Sequence, residues 1–257
     1  MFEFHPTIIA NYLSDKLRLY NFRAELSSLI LFNEAKNCKD TGEYLDLANN
    51  IFRDVPVKYL GWDIRPGQVK EEILNLLSIV QKKKVSTMLE IGTWNGGTLF
   101  LFARTVNSDA KIISLDLPGG EFGGGFEKFK IPFFSSFAQE NQKIYLIRES
   151  SHLTSSLLKV ESTLKGKELD FLFIDGDHSY NGVKRDFEMY SPLVRKGGLI
   201  AFHDILVNPA ETRCEVHLFW NEIKESYNYN ELVNDPGQKW AGIGVILLDN
   251  LQRQRAK

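Results

Sequence analysis

Residues 87–97 read Thr87-Met88-Leu89-Glu90-Ile91-Gly92-Thr93-Trp94-Asn95-Gly96-Gly97. An apolar run interrupted by a single carboxylate reads as a buried strand. The glycines behind it let the backbone turn tightly and approach a ligand. From Thr98 a helical run begins. Strand, glycine turn and helix in that order make the first half of a βαβ unit. The same order recurs downstream, where IISLD (112–116), IYLIR (144–148), DFLFID (170–175), LIAFH (199–203) and GIGVILL (242–248) read as strands. Helical stripes separate them. One carries Leu153, Leu157, Val160 and Leu164. Another carries Val183, Phe187, Tyr190 and Val194, ended by Gly197 and Gly198, and a last one Val216, Trp220, Ile223 and Tyr227. Upstream, Val69, Ile73, Leu76, Leu77 and Val80 mark one more. Strands that are hydrophobic throughout are buried on both faces, and strands alternating with helices form parallel sheets. The expected fold class is α/β: a Rossmann-like, doubly wound, mostly parallel sheet with helices on both faces. In such sheets the ligand sits outside the strands' carboxyl ends, at the switch point.

Residues 1–62 have a different texture. Ile9, Leu13, Leu17 and Tyr20 recur at helical spacing, and Leu45, Leu47, Ile51 and Phe52 suggest another helix. Gly61 to Gly67, with Pro66, reads as a linker or turn. The expected division is an N-terminal helical extension, 1–62, and a ligand-binding domain, 63–257. The tail LQRQRAK is a short basic end. With 31 Lys and Arg against 33 Asp and Glu, the chain lacks the excess of positive charge that a nucleic-acid-binding surface needs. No stretch reaches the roughly 18 apolar residues of a membrane span. The first twenty residues lack the basic start of a signal peptide. The two cysteines, Cys38 and Cys214, exclude a disulfide framework and fit reduced thiols in a cytoplasmic protein.

The glycine turn is not the G-x-G-x-x-G of dinucleotide sites, because Thr93 and Trp94 follow Gly92. A pyrophosphate would lack its second close-approach glycine. Asp116 ends the next strand about 20 residues on, the spacing at which a carboxylate meets ribose hydroxyls. The pocket therefore fits a ribose-bearing ligand, preferably one without a pyrophosphate. Glu90 adds charge. A buried carboxylate is costly unless paired, and a cationic ligand supplies the partner. S-adenosylmethionine, with its sulfonium and ammonium, meets both demands.

Three segments carry a resemblance to a known family: LEIGTWNGGT, SLDLPGGEFGGGF and FIDGDHSYNGVKRDFEMYSPLVRKGGLIAFHDI. They resemble the class I S-adenosylmethionine-dependent methyltransferases. The nearest group contains metal-dependent O-methyltransferases of antibiotic and macrolide-sugar biosynthesis and the cephalosporin-hydroxylase-like proteins. The resemblance covers about residues 66–248 and implies a seven-stranded sheet. It implies that Glu90, Gly92, Thr93, Asn95 and Gly96 surround the methionine part of the cofactor, with Asp116 and Leu117 at the ribose. The resemblance also implies Asp175 among the cofactor-binding residues. The family's Gly-Asp-Ser-His near the adenine appears here as Glu149-Ser150-Ser151-His152. Ser151 either reaches the adenine or caps the following helix.

Asp175, Asp177 and His178 follow the fourth strand read above, and His203 and Asp204 the fifth. Three carboxylates and two of the chain's five histidines thus fall at neighbouring strand ends. Methyl transfer needs an acceptor oxygen aligned with the methyl group and stripped of its proton. A divalent cation can lower that oxygen's pKa and orient it. The resemblance implies metal ligands at Asp175, His203 and Asp204. Mg²⁺ suits the carboxylates. Relatives usually carry an acidic residue where His203 stands, and histidine shifts preference toward Mn²⁺, Fe²⁺ or Zn²⁺. His178, three residues after Asp175, matches the general base of sugar-methylating relatives. Its ordinary pKa suits that role. The alternative is a helix cap, and Asp177 reads as a cap or supporting residue.

The loop 117–126 holds five glycines and reads as a mobile lid over the crevice or as a surface loop. The N-terminal 60 residues and the stretch 205–240, with Trp220 and Trp240, are assigned to the acceptor pocket or to a homo-oligomer interface. The expected activity is methyl transfer from S-adenosylmethionine to a hydroxyl of a small, sugar- or natural-product-like molecule. Two alternatives stay open: an NAD-dependent oxidoreductase and a non-catalytic cofactor binder. Tyr180 and Lys184 have a dehydrogenase-like spacing, but the usual serine partner upstream is missing.

Overall fold

The computed structural model describes residues 6–53, 62–119 and 124–249, with residues 6–15 described by their backbone alone. The expected Gly61 turn, the middle of the glycine-rich loop and the basic tail lie outside the described residues, as do the side chains of Ile9 and Leu13. Seven strands form one sheet in the order β3-β2-β1-β4-β5-β7-β6. They are β1 (Thr87–Ile91), β2 (Lys111–Asp116), β3 (Lys143–Arg148), β4 (Leu169–Ile174), β5 (Val194–His203), β6 (Asn228–Leu232) and β7 (Ile243–Leu247). β1 to β5 pair in parallel, whereas β7 runs antiparallel to both neighbours. The strand order reverses between β1 and β4, which places the switch-point crevice beyond Ile91 and Ile174.

Successive strand residues face opposite sides, so each strand feeds two cores. Met88, Ile112, Phe171, Phe173 and Ala201 join one. Leu89, Ile113, Leu172, Ile174 and Phe202 join the other. The first core is covered by α1 (Pro6–Ala35), α2 (Thr41–Asn50), α3 (Lys70–Lys83), α4 (Gly97–Thr105) and α5 (Ile131–Ser135). The second is covered by α6 (Thr154–Leu164), α7 (Tyr180–Tyr190) and α8 (Val216–Ile223). Helix α1 leaves Leu19, Phe22, Leu29 and Phe32 exposed on its outer side.

Four details differ from the expectations. Helix α7 stops at Tyr190, and Val194 is the first residue of β5, paired with Leu169. Pro192 explains the stop, since it brings no N–H to a continuing helix. Residues 62–67 are not a free linker. Trp62 and Ile64 are buried, and the Ile64 carbonyl lies so close to Gly97 that a Cβ there would fall 2.3 Å from it. Strand β6 is not among the expected strands, because NYNEL carries no apolar run. Trp220 is not a pocket residue. Its ring is buried against Gly244, where a Cβ would come within 2.6 Å, and its N–H donates to Glu231 Oε1 at 2.6 Å.

Candidate functional site

A cavity of about 1100 Å³ opens at the switch point. Its wall joins the ends of β1, β2, β4 and β5 with the segment 208–217 and Trp240. The two central turns touch. Gly92, at φ +88°, packs so tightly on the β4 turn that a Cβ would fall 1.9 Å from the Asp175 carbonyl. The Gly92 N–H donates to the Leu115 carbonyl, and the Asp175 N–H to the Ile91 carbonyl. Only glycine allows both the approach and the dihedral.

On the first side, Asp116 Oδ2 accepts the N–H groups of Thr93 at 2.9 Å and Trp94 at 2.7 Å. The carboxylate thereby shapes the glycine turn and still lines the cavity. Burial pushes Asp116 up, against the pull of those amides. Gly92, Leu117, Ser151 and Asp175 also line the wall. Glu90, Thr93, Asn95 and Gly96 do not. Glu90 shares the Met88 face of β1, under helix α4, and is fully buried. Its Oε2 accepts the Thr93 hydroxyl at 2.7 Å, and that hydroxyl lies 2.6 Å from Ser114 Oγ. Burial pushes Glu90 up to about 8, although the hydroxyls of Thr98 and Thr93 pull it down. Gly96 backs onto the Phe134 ring, where a Cβ would come within 2.7 Å. Glu90, Thr93 and Gly96 build the turn from behind.

The glycine-rich loop returns onto this side. Gly125 N–H donates to the Leu117 carbonyl at 2.5 Å, and a Cβ on Gly125 would meet Asp116 Cγ at 2.6 Å. Phe126 is buried beside Phe134, and Arg148 Nε donates to its carbonyl at 2.9 Å. The far arm of the expected lid is therefore anchored.

Ser151 is not a helix cap, because α6 is preceded by Leu153 without a side-chain cap. Helix α7 holds this segment. Tyr190 OH donates to the Ser151 carbonyl at 2.7 Å, and His152 Nε2 lies 3.3 Å from Asp186 Oδ1. No motif pointed to Asp186, yet a carboxylate in phase with Val183 and Tyr190 on an apolar helix face is a visible signal.

On the second side, His203 Nδ1 lies 3.2 Å from Asp175 Oδ1 and 3.4 Å from Asp204 Oδ2. His178 Nε2 lies 3.4 Å from Asp175 Oδ1, and its Nδ1 3.3 Å from Asp204 Oδ2. Gln68, which no motif suggested, donates to Asp175 Oδ2 at 3.0 Å. Burial pulls both imidazoles down, but Asp175 and Asp204, joined at His178 by a hydrogen bond with Cys214, win and raise His178 to about 11 and His203 to about 10. Against burial, the imidazoles hold Asp175 and Asp204 well below the usual carboxylate range. His178 does not cap α7. Ser179 does, accepting the Gly182 N–H at 3.0 Å, while Asp177 Oδ1 accepts the Ser179 N–H at 2.9 Å.

Asp175, His203 and Asp204 each offer one donor atom, all within 4.8 Å of one another. Two carboxylate oxygens and one imidazole nitrogen converging on one point fit a divalent cation, which would replace the protons now shared there.

An open, largely parallel sheet with this crevice is the scaffold of class I methyltransferases. Residues 89–205 match the methyltransferase domain family. The chain is 33% identical over 134 residues to an uncharacterized protein of Acanthamoeba polyphaga mimivirus, a match covering 51% of this chain and 57% of the viral one. It is 25% identical over 201 residues to a probable caffeoyl-CoA O-methyltransferase of Dictyostelium discoideum, covering 72% and 74% of the two chains. In fold it is similar to the O-methyltransferase TomG from Streptomyces achromogenes. That protein was solved with S-adenosylmethionine; the TM-score is 0.54, at 14% identity over 88% of this chain and 98% of that one. Among the described residues no helix is long and apolar enough to cross a membrane.

Proposed function

We propose that this chain transfers the methyl group of S-adenosylmethionine to a hydroxyl of a small molecule. The observation that carries the reading is one cavity lined by both halves of the chemistry: Gly92 and Asp116 on one side, Asp175, His178, His203 and Asp204 on the other. The methyltransferase-domain match supports it, as does the likeness to a probable caffeoyl-CoA O-methyltransferase. The ribose would lie at Asp116, the adenine near Ser151, and the methionine end at the Gly92 turn. Glu90 would act there through Thr93 and the turn it supports.

The acceptor would enter from the side of segment 208–217 and Trp240. A divalent cation held by Asp175, His203 and Asp204 would lower the acceptor hydroxyl's pKa and orient it. His178 would take the proton. It can do so only when Asp175 and Asp204 spend their charge on another cation, because they otherwise keep its ring protonated. Positioning by the cavity wall supplies much of the remaining acceleration.

Calorimetry with S-adenosylmethionine and with NAD tests the reading. S-adenosylmethionine is expected to bind and NAD is not; the reverse result removes the proposal. A panel of hydroxyl compounds with radiolabelled cofactor then identifies the acceptor class.

A further inference from the structure

Cys214 enters the cavity wall from the segment after β5, and the proposed methyl transfer does not use it. Its side chain is buried. Two hydrogen bonds clamp this segment onto the β4 turn. Glu215 N–H donates to the His178 carbonyl at 2.8 Å, and Tyr180 N–H donates to Glu215 Oε2 at 3.0 Å. The Asn208 side-chain amide donates to Cys214 Sγ at 3.5 Å. His178 turns Nδ1 toward Asp204 Oδ2, and Asp204 keeps Oδ1 on the Ala241 N–H at 3.2 Å. One imidazole nitrogen, one carboxylate oxygen and one sulfur therefore lie within 4.8 Å of one another. Ligands on a tetrahedral ion at about 2.0–2.3 Å stand roughly 3.3–3.8 Å apart, so shifts of about an ångström close the set.

We propose that His178, Asp204 and Cys214 form a binding site for a borderline-soft divalent cation of the Zn²⁺ class. The site differs from the Asp175, His203 and Asp204 cluster in taking Cys214 and Nδ1 of His178; the two share Asp204, and the opposite ring nitrogen of His178 faces Asp175 Oδ1 at 3.4 Å. The donor chemistry sets the preference: sulfur and imidazole favour Zn²⁺ over Mg²⁺. Three protein donors leave a fourth position facing the cavity, the open form of a zinc site. On binding, the Sγ–H bond breaks, its proton leaves to solvent, and the sulfur electron pair goes to the cation. The Nδ1–H bond of His178 breaks as well, its proton leaves to solvent, and the freed lone pair goes to the same ion. A thiophilic ion and proton abstraction through that nitrogen then exclude each other. The proposal needs no methyl transfer and stands apart from that reading.

The full chain is titrated with Co²⁺ as a spectroscopic probe. A near-ultraviolet sulfur-to-cobalt charge-transfer band is expected, and Zn²⁺ but not Mg²⁺ should abolish it. Cys214→Ser should lose the band, whereas Cys38→Ser and Asp175→Asn should keep it. Circular dichroism checks that each variant is folded. Should Cys214→Ser fail to fold, X-ray absorption on the Zn²⁺-loaded wild-type chain reads the same point through one sulfur neighbour. Absence of Co²⁺ uptake, uptake without the band, or a band that survives Cys214→Ser overturns the site. Loss of the band in Asp175→Asn overturns its separateness. Calorimetry with S-adenosylmethionine on the same samples keeps failure of this site distinct from failure of the methyl-transfer reading.

Discussion

The two sides of the crevice each take carboxylates out of water and treat them in opposite ways. At β1 and β2, Glu90 and Asp116 meet hydroxyls and backbone N–H groups, and burial drives both upward. At β4 and β5, Asp204 is buried and Asp175 partly so, yet two imidazolium rings hold them low. Desolvation acts on all four. The presence of a cation within reach decides the sign. Under the proposed function the first side receives its cation from the cofactor, whereas the second side already holds two protonated rings.

The harshest way to break this contrast is Asp175→Asn. It removes the carboxylate that both rings face and leaves His203 and His178 to share Asp204. Stability is expected to fall by about 3–5 kcal/mol in urea unfolding at pH 7, the usual cost of breaking a buried pair. A loss below about 1 kcal/mol would mean that the rings give up their protons at little cost. The pH dependence has a definite sign. The contribution of Asp175 is present above its unfolded value of 3.8 and is lost as pH falls through that range. The contribution of His178 and His203 is complete below 6.5 and is lost as pH rises through about 10 and 11. Between 3.8 and 6.5 this side should be insensitive to pH, and above 6.5 its contribution should decline steadily.

His178→Ala tests the same side by turnover. Methyl transfer is expected to drop by roughly 10²–10⁴-fold, the usual worth of a general base. S-adenosylmethionine affinity should stay within about twofold, since the ring sits on the acceptor side. Full turnover would remove the base assignment, and an equal loss of cofactor affinity would move His178 to the cofactor side.

Glu90→Gln sharpens the other half. Neutral Glu90 contributes stability that is complete below its unfolded value of 4.5 and is lost as pH rises through about 8. The glutamine variant carries no such loss. It should match the wild type near pH 4 and exceed it by a few kcal/mol at pH 9, since each tenfold change in proton affinity is worth about 1.4 kcal/mol. Urea midpoints at the two pH values read this directly. Equal midpoints at both would show that Glu90 is ionised at little cost.

The contrast also marks what could be read from residues alone. The strands of the parallel core were legible because they are apolar throughout, and the glycine turn because its residues punctuate that pattern. The joining of Asp175, His178, His203 and Asp204 was legible because parallel strands bring their carboxyl ends to one rim. The role of Glu90 was not, since strand alternation puts its side chain under α4, and that face depends on which helix covers it. Gln68 and Cys214 reach the cavity from segments far away in sequence, and no local spacing announces them. Trp220 looked like a pocket residue because large aromatics often are, but the glycine at position 244 in the neighbouring strand makes room for its ring in the core.

The smallest effect concerns how the second side is aimed. Ser179 accepts the Gly182 N–H and so starts α7 one residue after the cap, two after His178. Asp177 Oδ1 holds the Ser179 N–H, and the Glu215 N–H holds the His178 carbonyl. The ring is thus fixed by three backbone contacts, of which the cap is only one. Ser179→Ala should cost about 1 kcal/mol of stability, the usual worth of such a cap. Turnover should fall by less than about tenfold, because Asp177 and Glu215 still set the turn. A loss approaching that of His178→Ala would mean that the cap alone aims the imidazole, and the second side would then depend on a single hydrogen bond.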